Sequence, residues 1–138
     1  MQLGWADSLF VAEEAKGSGV GDHRNSWAYD AWRQKKWNGG ASVRYGGAAK
    51  WKAGDVVGCC VDVEGGSIKF YLNGTDLGVA FSGLSFHNNT VYPAGTFQGG
   101  NNPQGGTFVF DQTQFRQSVP VGYDAINASN HFKSYTLQ

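Results

Sequence analysis

The sequence predicts an all-β fold, a sandwich of two sheets, on three observations. Glycine is abundant, at 21 of 138 residues, and aromatic residues make up 14% of the chain. Glycine inside a helix costs roughly 1 kcal/mol, so this composition suits strands joined by tight turns. Short segments of alternating polarity also recur, punctuated by Gly, Asn and Asp clusters. The length fits one domain.

Taken in order, Met1–Asp7 reads as a strand in which Leu3 and Trp5 alternate with smaller or polar residues. Phe10–Lys16 suits either a helical turn or a loop, and Lys16–Gly21 is a glycine-rich loop. Asn25–Tyr29 and Arg33–Trp37 read as short strands joined by a turn at Asp30–Trp32. Turns follow at Asn38–Gly40, Tyr45–Gly47 and Lys52–Asp55. Val56–Val63, Ile68–Leu72 and Asp76–Phe81 form a three-strand meander. Its second turn is Asn73-Gly74, the dipeptide suited to a type I′ hairpin. Thr90–Phe97 contains Pro93 and so belongs at a sheet edge or carries a bulge. Gln98–Gly106 is a polar loop, Thr107–Phe110 alternates again, and Phe115–Tyr123 is extended.

Charge excludes more than it assigns. Eleven Lys and Arg balance eleven Asp and Glu, which leaves no global field to draw in nucleic acid or anionic lipid. No apolar run approaches the ~18 residues of a membrane helix. Cys59 and Cys60 are adjacent, so their side chains would leave a strand on opposite faces and no disulfide is expected. That favours a reducing, cytoplasmic setting. Three glycosylation-type triplets begin at Asn73, Asn88 and Asn127, and without a signal peptide they read as chance.

The segments LGWAD, GVGDHRNSWAYD, KKWNG, WKAGDVVGC, VDVEGGSIKFYLNGTDLGVAF, YPAG and FVFDQTQF follow one another along the chain. In that order and spacing they resemble the SPRY domain, most closely the SPRY domains of large RING- and HECT-type ubiquitin ligases and of ryanodine receptors. The likeness runs from Met1 to about Tyr123. It implies a bent, lectin-like sandwich of two antiparallel sheets that binds protein partners through loops at one end. By the resemblance, one or two strands would ordinarily precede the LGWAD segment, with which this sequence opens. Asn130–Leu137 or a second copy of the chain is therefore expected to cover an exposed edge there. Residues 1–126 are read as the domain, and residues 127–138 as a tail or closing strand.

Trp5, Trp27, Tyr29, Trp51 and Cys59 are assigned to packing, and Asp30 to a turn. Trp37 matches the position where some peptide-binding SPRY domains place an aromatic wall, beside the loop corresponding to Gln98–Asn102. The expected partner surface is His23, Arg24, Asn25, Lys36, Trp37, Gln98, Gly99, Asn101 and Asn102. Arg24 would meet an acidic or carbonyl group, and the amides would bond a partner backbone. Trp32, Arg33, Lys35, Lys36 and Trp37 interleave cations and rings in a manner that also suits single-stranded nucleic acid. The zero net charge argues against it, and no nucleic-acid or membrane partner is expected. His23, His87 and His131 lack metal-ligand spacing, no nucleophile context is present, and GSGVGD lacks the Lys-Ser/Thr of a phosphate loop. No cofactor, metal or catalysis is expected. The expected function is non-catalytic recognition of a short partner segment, possible homo-association through an edge included. A carbohydrate-binding module and a purely structural domain are the alternatives.

Overall fold

The computed structural model describes residues 1–48, 50–99, 101, 104–126 and 135–137. Ten strands run through them in order: β1 (Gln2–Asp7), β2 (Ser26–Asp30), β3 (Lys35–Asn38), β4 (Ala41–Arg44), β5 (Val57–Asp62), β6 (Ser67–Leu72), β7 (Thr75–Phe81), β8 (Val91–Thr96), β9 (Asp124–Ala125) and β10 (Tyr135–Leu137). The only helical pieces among the described residues are three single 3-10 turns, one of them resolving Phe10–Lys16 as a loop ending in a turn at Glu14–Lys16. The all-β class holds. Two five-stranded sheets form, in the orders β4-β3-β2-β1-β8 and β7-β6-β5-β10-β9. Each sheet lies in its own compact unit, residues 1–51 with 86–106 and residues 52–85 with 107–138.

The first sheet is antiparallel throughout. Its β2–β3 turn spans residues 31–34, beginning one residue and ending two residues later than the sequence suggests, because Asp30 both ends β2 and accepts the Arg33 N–H at 3.0 Å. Gly39 and Gly40, at φ 60° and 77°, make the two-residue turn that fixes β3 against β4, with Asn38 opposite Ala41. β8 is an edge strand, as Pro93 requires. Trp5, Trp27 and Tyr29 are buried on one face. Trp27 meets Phe86 edge-on at 5.1 Å, and Tyr29 sits between Tyr45 and Trp51 at 5.2 and 5.3 Å, nearly perpendicular to both. Such pairs add about 0.5–1.5 kcal/mol each beyond area burial.

The edge expected at Met1–Asp7 does not exist. β8 pairs with β1 along all six residues while β2 takes the other side, so β1 is an interior strand. Of the C-terminal segment, Tyr135–Leu137 adds to β5 instead, antiparallel, and runs parallel to β9. Residues 127–134 lie outside the described residues.

The meander β5–β6–β7 is the core of the second sheet. Ile68, Phe70 and Leu72 are buried on one face of β6, and Asn73-Gly74 turns it into β7 at φ 50° and 81°. β5 is buried on both faces from Gly58 to Val61, and the two cysteines are free. Thr107–Phe110 is not a strand: Phe108 and Phe110 are exposed and stack on each other at 6.3 Å. Alternation there has no ladder partner to act on.

The other face of the first sheet explains a run of small residues. Gly4, Ala28 and Trp37 are neighbours across β1, β2 and β3, and Gly19–Gly21 lies over that face as a strap. A Cβ on Gly21 would stand 2.7 Å from the Trp37 Cβ and 3.0 Å from the Ala28 Cβ, and Gly21 holds φ at +94°. Gly21→Ala is therefore expected to cost about 2–4 kcal/mol, read from the urea midpoint. Gly99→Ala, where a Cβ meets nothing within 4 Å, should change stability by less than about 0.5 kcal/mol.

Candidate functional site

The strap is held by side chains at both ends. The Val20 N–H donates to Thr96 Oγ1 at 2.8 Å, and the Gly21 N–H donates to Ser26 Oγ at 2.9 Å. Gly40 N–H donates to the Gly21 carbonyl at 3.1 Å, and Val20 itself is buried. This pins Trp37 at its Cβ. Farther out, the Arg33 guanidinium lies 4.2 Å from the centre of the Trp37 ring, and the Lys35 ammonium lies at 5.6 Å. Arg33 is oriented by Asp30, whose carboxylate accepts Arg33 Nε–H at 2.7 Å and is only 2% exposed. A buried carboxylate bonded twice by one arginine is a stiff anchor. The wall at Trp37 is thus half-buried, packed under the strap at its Cβ and flanked by positive charge.

Strand register locates the expected partner residues. On the strap's face, Arg44, Lys35 and Asp30 form one row, with Gln2 level with Asp30 and paired to Thr96. The next row is Ser42, Trp37, Ala28, Gly4 and Ala94. Gln98, Gly99 and Asn101 follow Thr96 and so leave from the Lys35 end, about 14 Å across three strand spacings. All three are exposed, and the Gln98 carbonyl accepts Gln104 N–H at 2.8 Å. Asn102 lies outside the described residues. His23, Arg24 and Asn25 precede Ser26 and lie at the opposite end of the sheet. Lys36 leaves β3 on the face away from Trp37, its ammonium 6.0 Å from the Tyr45 ring.

The nine residues therefore do not share one surface. His23 and Asn25 turn inward: His23 Nδ1 accepts the Asn25 N–H at 3.2 Å, and its carbonyl accepts from Ser26 and Gly39. Arg24 is exposed, with its carbonyl taken by the Asn38 amide. Sequence reading passed over Arg44, although counting outward from Gly39-Gly40 places it opposite Lys35.

The family model for the SPRY domain matches residues 1–113. The chain belongs to the SPRY domain family. SPRY domains bind protein partners, and this is a family of non-catalytic interaction domains. The chain is also similar to the E3 ubiquitin-protein ligase RKP of Arabidopsis thaliana, 47% identical over 83 residues, which is 60% of this chain and 6% of that protein.

In this SPRY domain one buried carboxylate organises the His23 end. Asp7 accepts from Leu9 N–H at 2.9 Å, Asn25 Nδ2 at 2.9 Å and His87 N–H at 3.2 Å, while its own N–H donates to the Asn25 carbonyl. Burial pushes this carboxyl up, but those three donors, with a coulombic contribution from His87, outweigh it and hold it below the ordinary 3.8. The network is what commits Asn25 to structure.

The second unit carries a cleft of about 240 Å³ between Tyr71 and the Gln117–Val121 segment. Its lining is mostly apolar and gathers no converging charge. No helix among the described residues is long and apolar enough to cross a membrane.

Because the folded Asp7 carboxyl is depressed, its stabilisation is full above 3.8 and is lost as pH falls through that value and the lower folded one. Asp7→Asn should be less stable than the wild type at pH 7, and the two urea midpoints should converge between about pH 5 and pH 2. Parallel curves would contradict the assignment.

Proposed function

We propose that this SPRY domain is the recognition module of a larger polypeptide and holds a short extended segment of a partner protein. Trp37 is the wall, Arg33 and Lys35 flank it, and Gln98, Gly99, Asn101 and the sequence-assigned Asn102 bond the partner's backbone. Arg24, at the opposite end of the sheet, and Lys36, on its other face, lie outside this surface. The carrying observation is that the strap fixes Trp37 while bonding Thr96, which ties the wall and the amide-rich loop to one support. Aromatic and arginine anchors on a rigid base are the usual energetic centre of such surfaces.

The ligase similarity supports substrate recruitment or assembly within a ubiquitin ligase as the context, and membership in a family of non-catalytic interaction domains supports a module without catalysis of its own. Two buried free cysteines support a reducing, cytoplasmic setting. A sugar platform is disfavoured because the Trp37 ring already carries a cation.

The test is affinity capture with the wild type, Asn101→Ala, and Trp37→Ala plus Asn101→Ala, read by mass spectrometry. Melting temperatures establish that each bait is folded. Proteins lost with the double variant and weakened with Asn101→Ala name the partner, and Trp37→Ala alone should cost that partner more than about 1 kcal/mol. Identical lists from all baits would remove this surface and favour a structural role.

A further inference from the structure

We infer that the partner segment held at Trp37 is acidic, an extended stretch rich in Asp and Glu. The inference rests on the proposed site and adds the charge class of its ligand.

Lys35 of β3 and Arg44 of β4 are direct cross-strand partners in the same row. Like charges placed opposite one another in an antiparallel pair oppose strand pairing. Between residues 30 and 50 the chain carries five cations, Arg33, Lys35, Lys36, Arg44 and Lys50, against the single carboxylate of Asp30. That carboxylate is buried and taken up by Arg33. Lys35, Arg44 and Lys50 form no ion pair among the described residues. Arg44 is exposed on the edge strand, and the Lys50 ammonium stands 4.5 Å over the ring of Trp32, which is 62% exposed. A chain with net charge +0 has thus set two cations that form no ion pair among the described residues, Lys35 and Arg44, opposite each other on one strand pair, beside an aromatic wall.

An anionic peptide fits this better than nucleic acid does. Both indoles already carry a cation on the ring, Arg33 on Trp37 and Lys50 on Trp32, where a base would have to stack. Carboxylates spaced along an extended segment would meet Lys35 and Arg44 and relieve their repulsion on binding.

The test titrates the full chain with a fluorescent decapeptide of Asp and Glu, its Asn and Gln counterpart, and a ten-nucleotide oligothymidine. The acidic peptide should bind at least about tenfold tighter than either, and added salt should weaken it. Arg44→Glu should lose at least about tenfold in that affinity while its melting temperature rises, because an attractive pair replaces a repulsive one. Undiminished acidic-peptide binding by Arg44→Glu, or equal binding of the amide peptide, overturns the inference and leaves the Trp37 site standing. Tighter binding of oligothymidine overturns it in favour of nucleic acid. Loss in Arg44→Glu with full affinity in Trp37→Ala supports the acidic partner while removing Trp37 from the site.

Discussion

The close packing of Gly21 against Ala28 and Trp37, with Gly19 against Thr96, is the constraint from which the arrangement of this face follows. With backbone where side chains would otherwise stand, the face beneath must be small, and Ala28 satisfies that; at the neighbouring Gly4 it is β2 itself that leaves no room, since a Cβ there would run into the Trp27 carbonyl. The strap spans the sheet, from Ser26 on β2 to Thr96 on β8. It also explains why Trp37 is half-buried and held: the ring's root is clamped by backbone, and its outer part is left to cations. A rigid aromatic loses little conformational freedom on binding, which is the property a recognition wall needs.

Electrostatics then divide the sheet into two ends with different tasks. At the His23 end a buried carboxylate, Asp7, gathers three donors and turns its neighbours inward. At the Lys35 end a buried carboxylate, Asp30, orients one arginine, and its cross-strand neighbour Lys35 and, beyond it, Arg44 form no ion pair among the described residues. The first arrangement is closed and stabilising. The second leaves positive charge facing outward, consistent with membership in a family of interaction domains.

Much of the fold was legible because its signals are local. The Asn73-Gly74 hairpin, the β5–β7 meander, the Gly39-Gly40 turn and the edge position of Pro93 each follow from a few adjacent residues. What escaped depends on contacts distant in sequence. β1 gained a second neighbour, β8, from some ninety residues away, so the expected open edge vanished. The commitment of Asn25 to structure rests on its bond to Asp7, and the burial of Trp37 on Gly21, neither of which periodicity reports. The alternation at Phe108 and Phe110 looked like a strand and found no ladder. The candidate site was half legible for the same reason: Trp37 and the Gln98 loop could be named as candidates, but only register separates them from His23–Asn25 and puts Lys36 on the other face.

The most direct measurement is hydrogen exchange along the chain, alone and saturated with the acidic decapeptide. The account predicts slowed exchange in Arg33–Arg44 and at Thr96–Asn101, with Asp22–Asn25 unchanged. Protection confined to Asp22–Asn25, or to the Gln117–Val121 cleft, would contradict it.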